Sequence, residues 1–105
     1  MHLAVAKLDV KSVVKLIMKK AEINVADLNT GDHPIHLLMN VFTKNTIASK
    51  KILSFLHEAG VDINCTNKDL WTPLHLAVKK GCYEGIEELL SLNSHLDLDR
   101  QGGLL

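Results

Sequence analysis

Apolar residues recur at helical spacing in short runs, separated by polar segments rich in turn formers. The clearest run begins at Thr72, a capping residue, followed by Pro73, where a missing backbone N–H costs nothing. Leu74, Ala77 and Val78 then fall at i, i+3, i+4, which predicts a short helix from Pro73 to Lys80 with Gly81 as its stop. Ile86, Leu89 and Leu90 give a second apolar face on a helix from Tyr83 to Leu92. Earlier in the chain, Leu3 to Lys7 reads as one short helix. Val10 to about Lys20 reads as the next, with Val13, Val14, Leu16 and Ile17 inward. Pro34 opens a third, Ile35 to about Asn40. A fourth runs from Ile47 to His57 or Glu58, buries Ile52, Leu53 and Leu56, and stops at Gly60. The segments Asn24 to His33 and Asn64 to Trp71 carry turn residues and predict two β-hairpin fingers. Helices this short, paired back to back, cannot bury their apolar faces alone and need copies of themselves.

The copies are present. Trp71-Thr72-Pro73-Leu74-His75-Leu76-Ala77 has counterparts in His33-Pro34-Ile35-His36-Leu37-Leu38 and, cut short, in His2-Leu3-Ala4-Val5. Each is followed by an apolar helical run and then a shared signature: Ala21-Glu22-Ile23-Asn24, Gly60-Val61-Asp62-Ile63-Asn64, and Ser94-His95-Leu96-Asp97. The three histidines stand 34 and 39 residues apart. On these motifs the chain resembles the ankyrin-repeat family, whose period is about 33 residues. The resemblance covers nearly the whole chain and is sharpest in its third repeat.

It implies an all-α repeat solenoid of about three helix pairs joined by β-hairpin loops. Residues 1–24 would be a partial first repeat, 25–64 the second, 65–97 the third, and 98–105 the start of another. The signature residues His2, Pro34, His36, Thr72, Pro73, His75 and Gly81 would be structural, with each histidine bonding backbone groups between adjacent fingers. Relative to the family, six residues (41–46) are inserted in the second repeat and either lengthen its inner helix or form a longer loop. Asn45 or Thr46 then caps the outer helix, and Phe42 and Phe55 are placed to pack together beside the insertion. Leu8 replaces a usual glycine, and Asp69-Leu70 stands where Asp-Gly is common, which either puts mild strain in a tip that favours φ > 0 or gives a different turn. Gly85 and Glu88 occupy usually apolar positions and are expected to weaken the seam locally. Both ends fall inside repeats, which points to a piece of a longer array or a truncated member of the family. Its exposed apolar ends would favour self-association.

Composition narrows the function. Twelve basic and twelve acidic residues leave no net charge to attract nucleic acid or membrane. The charge is uneven: residues 1–52 hold eight basic and four acidic groups, residues 53–105 the reverse. Lys11, Lys15 and Lys19 line up on one helical stripe, either an acidic-partner site or an ordinary solvated face. No stretch reaches the roughly 18 apolar residues of a membrane span, and no signal-peptide pattern is present. Cys65 and Cys82 read as reduced thiols in a cytoplasmic or nuclear protein that is not secreted. His33 and His36 are spaced for a metal, yet no thiol or acidic partner has matching spacing, so neither metal nor other cofactor is expected. No nucleophile elbow, phosphate loop or paired-carboxylate motif appears, so no enzymatic activity is expected.

What remains is recognition of another protein. The family resemblance places contacts at finger tips and inner helices: Asn29, Thr30 and Asp32; Lys68, Asp69 and Trp71; Asn40, Lys79 and Lys80. Ala6 and Lys7 belong to the same face. Trp71 is either an exposed hot spot or a ring laid flat across the neighbouring finger. The module would act as a scaffold, adaptor or inhibitor. The alternatives are a spacer segment of a longer array and a module of the transcription-factor-inhibitor kind.

Overall fold

The computed structural model describes residues 1–92. Six α-helices form three antiparallel pairs: α1 (His2–Ala6) with α2 (Val10–Met18), α3 (Pro34–Val41) with α4 (Thr46–Glu58), and α5 (Pro73–Lys79) with α6 (Tyr83–Leu92). The inner helices α1, α3 and α5 pack in one row and the outer helices α2, α4 and α6 in a second. Among the described residues there is no strand. Each finger is instead a turn closed by two backbone bonds: Asp27 N–H to the Asp32 carbonyl and Gly31 N–H to the Asp27 carbonyl, both at 2.8 Å, and Asn67 N–H to the Trp71 carbonyl at 3.1 Å with Leu70 N–H to the Asn67 carbonyl at 3.0 Å. The Ser94–Asp97 signature, His95 and the further repeat expected at 98–105 lie outside the described residues.

Local chemistry sets the helix starts. Pro34 and Pro73 each stand in the first turn of their helix. The Asp9 carboxylate accepts from Ser12 N–H and Ser12 Oγ, which holds its pKa below the usual carboxylate value. Asn45 Oδ1 accepts from Ala48 N–H at 3.1 Å and opens α4. Thr72 and His75 cap α5 reciprocally, Thr72 Oγ1 accepting from His75 N–H at 3.2 Å and His75 Nδ1 accepting from Thr72 N–H at 2.8 Å.

The core lies between the two rows and includes Val5, Val13, Ile35, Leu38, Met39, Ile52, Leu53, Leu56, Leu74, Ala77 and Leu89. The insertion resolves into neither simple extension nor loose loop. α3 runs to Val41, and then one 3-10 turn, Phe42–Lys44, drives Phe42 into the core with no exposed surface. Buried Ser49 fixes that turn by donating its hydroxyl to the Phe42 carbonyl at 3.0 Å. Phe55 does not join Phe42. It stays 37% exposed and faces α2, because α4 turns its buried stripe of Ser49, Ile52, Leu53 and Leu56 toward the core.

Two expected core residues are also exposed, Val78 at 48% and Leu90 at 45%. They sit on the last described pair, whose other side packs on α3 and α4. Gly85, by contrast, tightens the seam it was expected to weaken. It is buried, and a Cβ there would sit 2.9 Å from Cys82 Sγ and 3.2 Å from Met39 Sδ. The neighbours already fill the space that a side chain would occupy. Glu88 is half-buried and its carboxylate lies 3.8 Å from Lys50 Nζ, linking the second and third outer helices.

Candidate functional site

The fingers are held in register by a recurring bond. His2 Nε2 meets the Asp32 carbonyl at 2.9 Å, and His36 Nε2 meets the Trp71 carbonyl at 2.8 Å. The same ring in His36 accepts at Nδ1 from His33 N–H at 2.9 Å, so both its nitrogens are committed. Burial disfavours the charged imidazolium and lowers its pKa, partly opposed by the Trp71 carbonyl. Within the first finger, Asp27 Oδ1 accepts from the N–H groups of Asn29 (2.7 Å) and Thr30 (3.1 Å). These two donors, Thr30 foremost, pull its carboxyl below the usual value. Asn67 plays the matching part in the second finger, its Oδ1 accepting from Asp69 N–H and Trp71 N–H.

The two fingers are then pinned to each other. Asn67 Nδ2 donates to Asp32 Oδ1 at 2.9 Å, Lys68 N–H to the Thr30 carbonyl at 3.2 Å, and Lys68 Nζ to the Leu28 carbonyl at 2.7 Å. Gly31 makes this approach possible, since a Cβ there would lie 2.6 Å from Lys68 N.

A groove of about 470 Å³ results on the finger and inner-helix side. Six of the eleven residues expected on the partner face line it, Asn29, Thr30, Asp32, Asn40, Lys68 and Asp69, while Ala6 and Lys7 do not. Asn67 and Leu76 complete the lining, and the sequence reading had passed over both. Asn67 was findable, because it occupies the hairpin position at which Asp27 closes the first finger.

Trp71, Lys79 and Lys80 lie outside that groove. Trp71 is half-buried with its ring edge-on to His75 (centroids 6.4 Å apart), and Lys79 Nζ rests 4.5 Å from the ring centroid. The ring therefore leans on its own helix, while its backbone carbonyl serves the neighbouring repeat. Lys80 is the exposed C-cap of α5. The remaining signature residues, Pro34, Thr72, Pro73 and Gly81, act at helix ends.

A second concavity lies on the outer row. Val10, Val14 and Phe55 form an apolar floor of about 560 Å³ between α2 and α4, edged by Lys11, Lys15 and Lys51. Two lysines of the predicted stripe thus border an apolar surface; Lys19 does not line it.

Finally, the fold assembles a cluster that spacing along the chain conceals. His33, His36 and Cys65 bring their ligand atoms within 4.8 Å of one another. Cys65 is 29 residues from His36 in sequence and reaches it only because the second finger stacks on the first. His33 Nδ1 is buried without a hydrogen-bond partner. The Cys65 thiol has its pKa pushed up to about 12, by burial first and by Asp62 second.

Among the described residues, no helix is long and apolar enough to cross a membrane. A family model described as ankyrin repeats, in three copies, matches residues 1–101. No curated protein matches the chain at a significant level.

Proposed function

The chain belongs to the ankyrin-repeat family, and on that premise we propose that it binds a partner protein through the groove at its fingers and inner helices. Ankyrin repeats are generally protein–protein interaction modules and are typically not enzymes. The observation that favours this surface is convergence. Six residues picked from three separate stretches of sequence line one groove. The finger backbones beneath it are tied by the Asn67–Asp32 and Lys68 bonds. A surface fixed in advance loses little ordering entropy on binding, which suits a scaffold, an adaptor or an inhibitor that masks a partner. Trp71 with Lys79 extends the same face toward α5 and supplies its one large aromatic.

The test is a comparative capture from cell extract. Asn40→Arg with Asp69→Arg changes two exposed side chains that make no hydrogen bond within the described residues, so folding should persist. A protein held by the parent chain and lost with an equally helical double variant supports the groove. Capture that is unchanged sinks it. The outer-row groove carries the second reading, an acidic, apolar segment seated on Phe55 between Lys11, Lys15 and Lys51. That reading requires binding that survives the groove variant, weakens with salt and is lost in Phe55→Ala.

A further inference from the structure

We propose that His33 and Cys65 form a binding site for a soft, thiophilic monovalent cation of the Cu(I) type, bridging the second and third repeats. The argument begins at a departure from the repeat. Where the third repeat has Thr72, whose hydroxyl accepts from His75 N–H, the second has His33. His33 likewise gives its N–H to His36 Nδ1, and its own side chain stands over the first turn of α3 as Thr72 does in α5, yet its Nδ1 is buried without a hydrogen bond. A buried nitrogen without a partner is uncommon in folded proteins and calls for an explanation, an ion among them. The Cys65 sulfur and a ring nitrogen of His33 lie within 4.8 Å of each other. Metal bonds of about 2.0 Å to imidazole nitrogen and about 2.3 Å to sulfur can span such a separation with little movement.

The choice of cation follows from what His36 is doing. Both of its ring nitrogens are engaged, one with His33 N–H and one with the Trp71 carbonyl that keeps the fingers in register. Two donors therefore remain, one nitrogen and one sulfur. Zinc takes four ligands in structural sites and at least three protein ligands in catalytic ones. A soft ion satisfied by thiolate and imidazole at low coordination number fits better. Binding replaces the Cys65 S–H bond with a sulfur–metal bond and releases the proton to solvent, with no change of oxidation state. Because His33 opens α3 and Cys65 lies at the start of the second finger, the ion would staple one repeat to the next.

The test uses the reduced full chain under anaerobic conditions, with Cu(I) supplied against a Cu(I)-selective chelator and Zn²⁺ in a parallel titration. Variants are Cys65→Ser and His33→Thr. The second restores the residue that the third repeat uses, so it should fold at least as well without metal. Cys82 is present throughout, so its background is common to all three proteins. The expected result is one Cu(I) held at least tenfold more tightly by the parent than by either variant. One equivalent should raise the melting temperature of the parent and not that of His33→Thr. If His33→Thr binds Cu(I) as tightly as the parent, capture is by thiol alone and the site is wrong. Equal affinity of the parent for Zn²⁺ would mean that His36 has left its hydrogen bonds, and would overturn the two-donor assignment. No retention against the chelator would do the same.

Discussion

Among residues 1–92, six hold a backbone with positive φ, and they fall into equivalent pairs along the repeats. Gly81, Gly60 and Gly31 (φ 66°, 92° and 75°) occupy the turns that Leu8, Lys20 and Leu70 (55°, 61° and 64°) occupy elsewhere. A non-glycine residue in this region costs about 1–2 kcal/mol. The Leu70 side chain is 66% exposed and gives little back in packing. Leu70→Gly should therefore stabilise the chain by about 0.5–1 kcal/mol, after the added freedom of the unfolded glycine is subtracted. The equivalent Gly31→Ala should do the opposite. It adds left-handed strain and sets a Cβ 2.6 Å from Lys68 N, for a loss of about 2 kcal/mol or more. Urea melts that shift in the same direction for both would defeat this pairing. His36 adds a pH dependence. Its folded pKa lies below its ordinary value of about 6.5 because it is buried. The unfolded chain then binds more protons as pH falls through 6.5, so stability should drop from there down to the folded pKa and level off beneath it. The slope in this window should be shallower in His36→Gln, measured by denaturant midpoint against pH.

At the scale of elements, the 3-10 turn after α3 makes the insertion part of the core. Phe42 is fully buried, and its carbonyl depends on Ser49, which is itself buried. Ser49→Ala strands that carbonyl and should cost about 1–3 kcal/mol; Phe42→Ala should cost about 3–5 kcal/mol. If the insertion were a loose surface loop, both would fall within about 0.5 kcal/mol of the parent. Thermal melts decide between them. The same element marks where sequence reasoning reached its limit. Helix ends were legible to within two residues, because Pro34, Asn45, Thr72 and the turn residues act locally and repeat. The groove was legible for the same reason, since the repeat fixes where finger tips fall. Phe42 entering the core and Phe55 leaving it were not, because a helical run of apolar residues does not say which face a neighbouring helix will cover. Gly85 was misjudged for a related cause. A missing side chain reads as a gap until the sulfurs of Cys82 and Met39 are seen to occupy it.

For the molecule as a whole, a row of helix pairs makes each pair depend on its neighbours rather than on a shared centre. The second pair has neighbours on both sides, α3 between α1 and α5, and α4 between α2 and α6. It also supplies most of the fully buried side chains, including Ile35, Leu38, Met39, Phe42, Ile52, Leu53 and Leu56. Among the described residues the first pair packs on the second pair alone, and Val5 is the sole buried residue of the five-residue α1. Opening α1 therefore exposes little apolar surface, whereas opening α3 separates both junctions and releases the His36 bond to the second finger. Native-state hydrogen exchange should rank the elements accordingly. The amides of Leu38, Met39 and Leu56 should exchange only with global unfolding. Those of Val5 and Lys7 should exchange through a local opening that ignores mild denaturant. If α1 amides matched those of α3 in both rate and denaturant dependence, the array would be one cooperative unit. The junction-by-junction account would then fail. A fraying first pair would release the His2 bond to the Asp32 carbonyl, and Asp32 lines the proposed groove together with Asn40 and Leu76 of α3 and α5. Partner binding should accordingly weaken in Val5→Ala as that substitution speeds exchange in α1 and α2; unchanged binding would show that the first finger keeps its shape without the His2 bond.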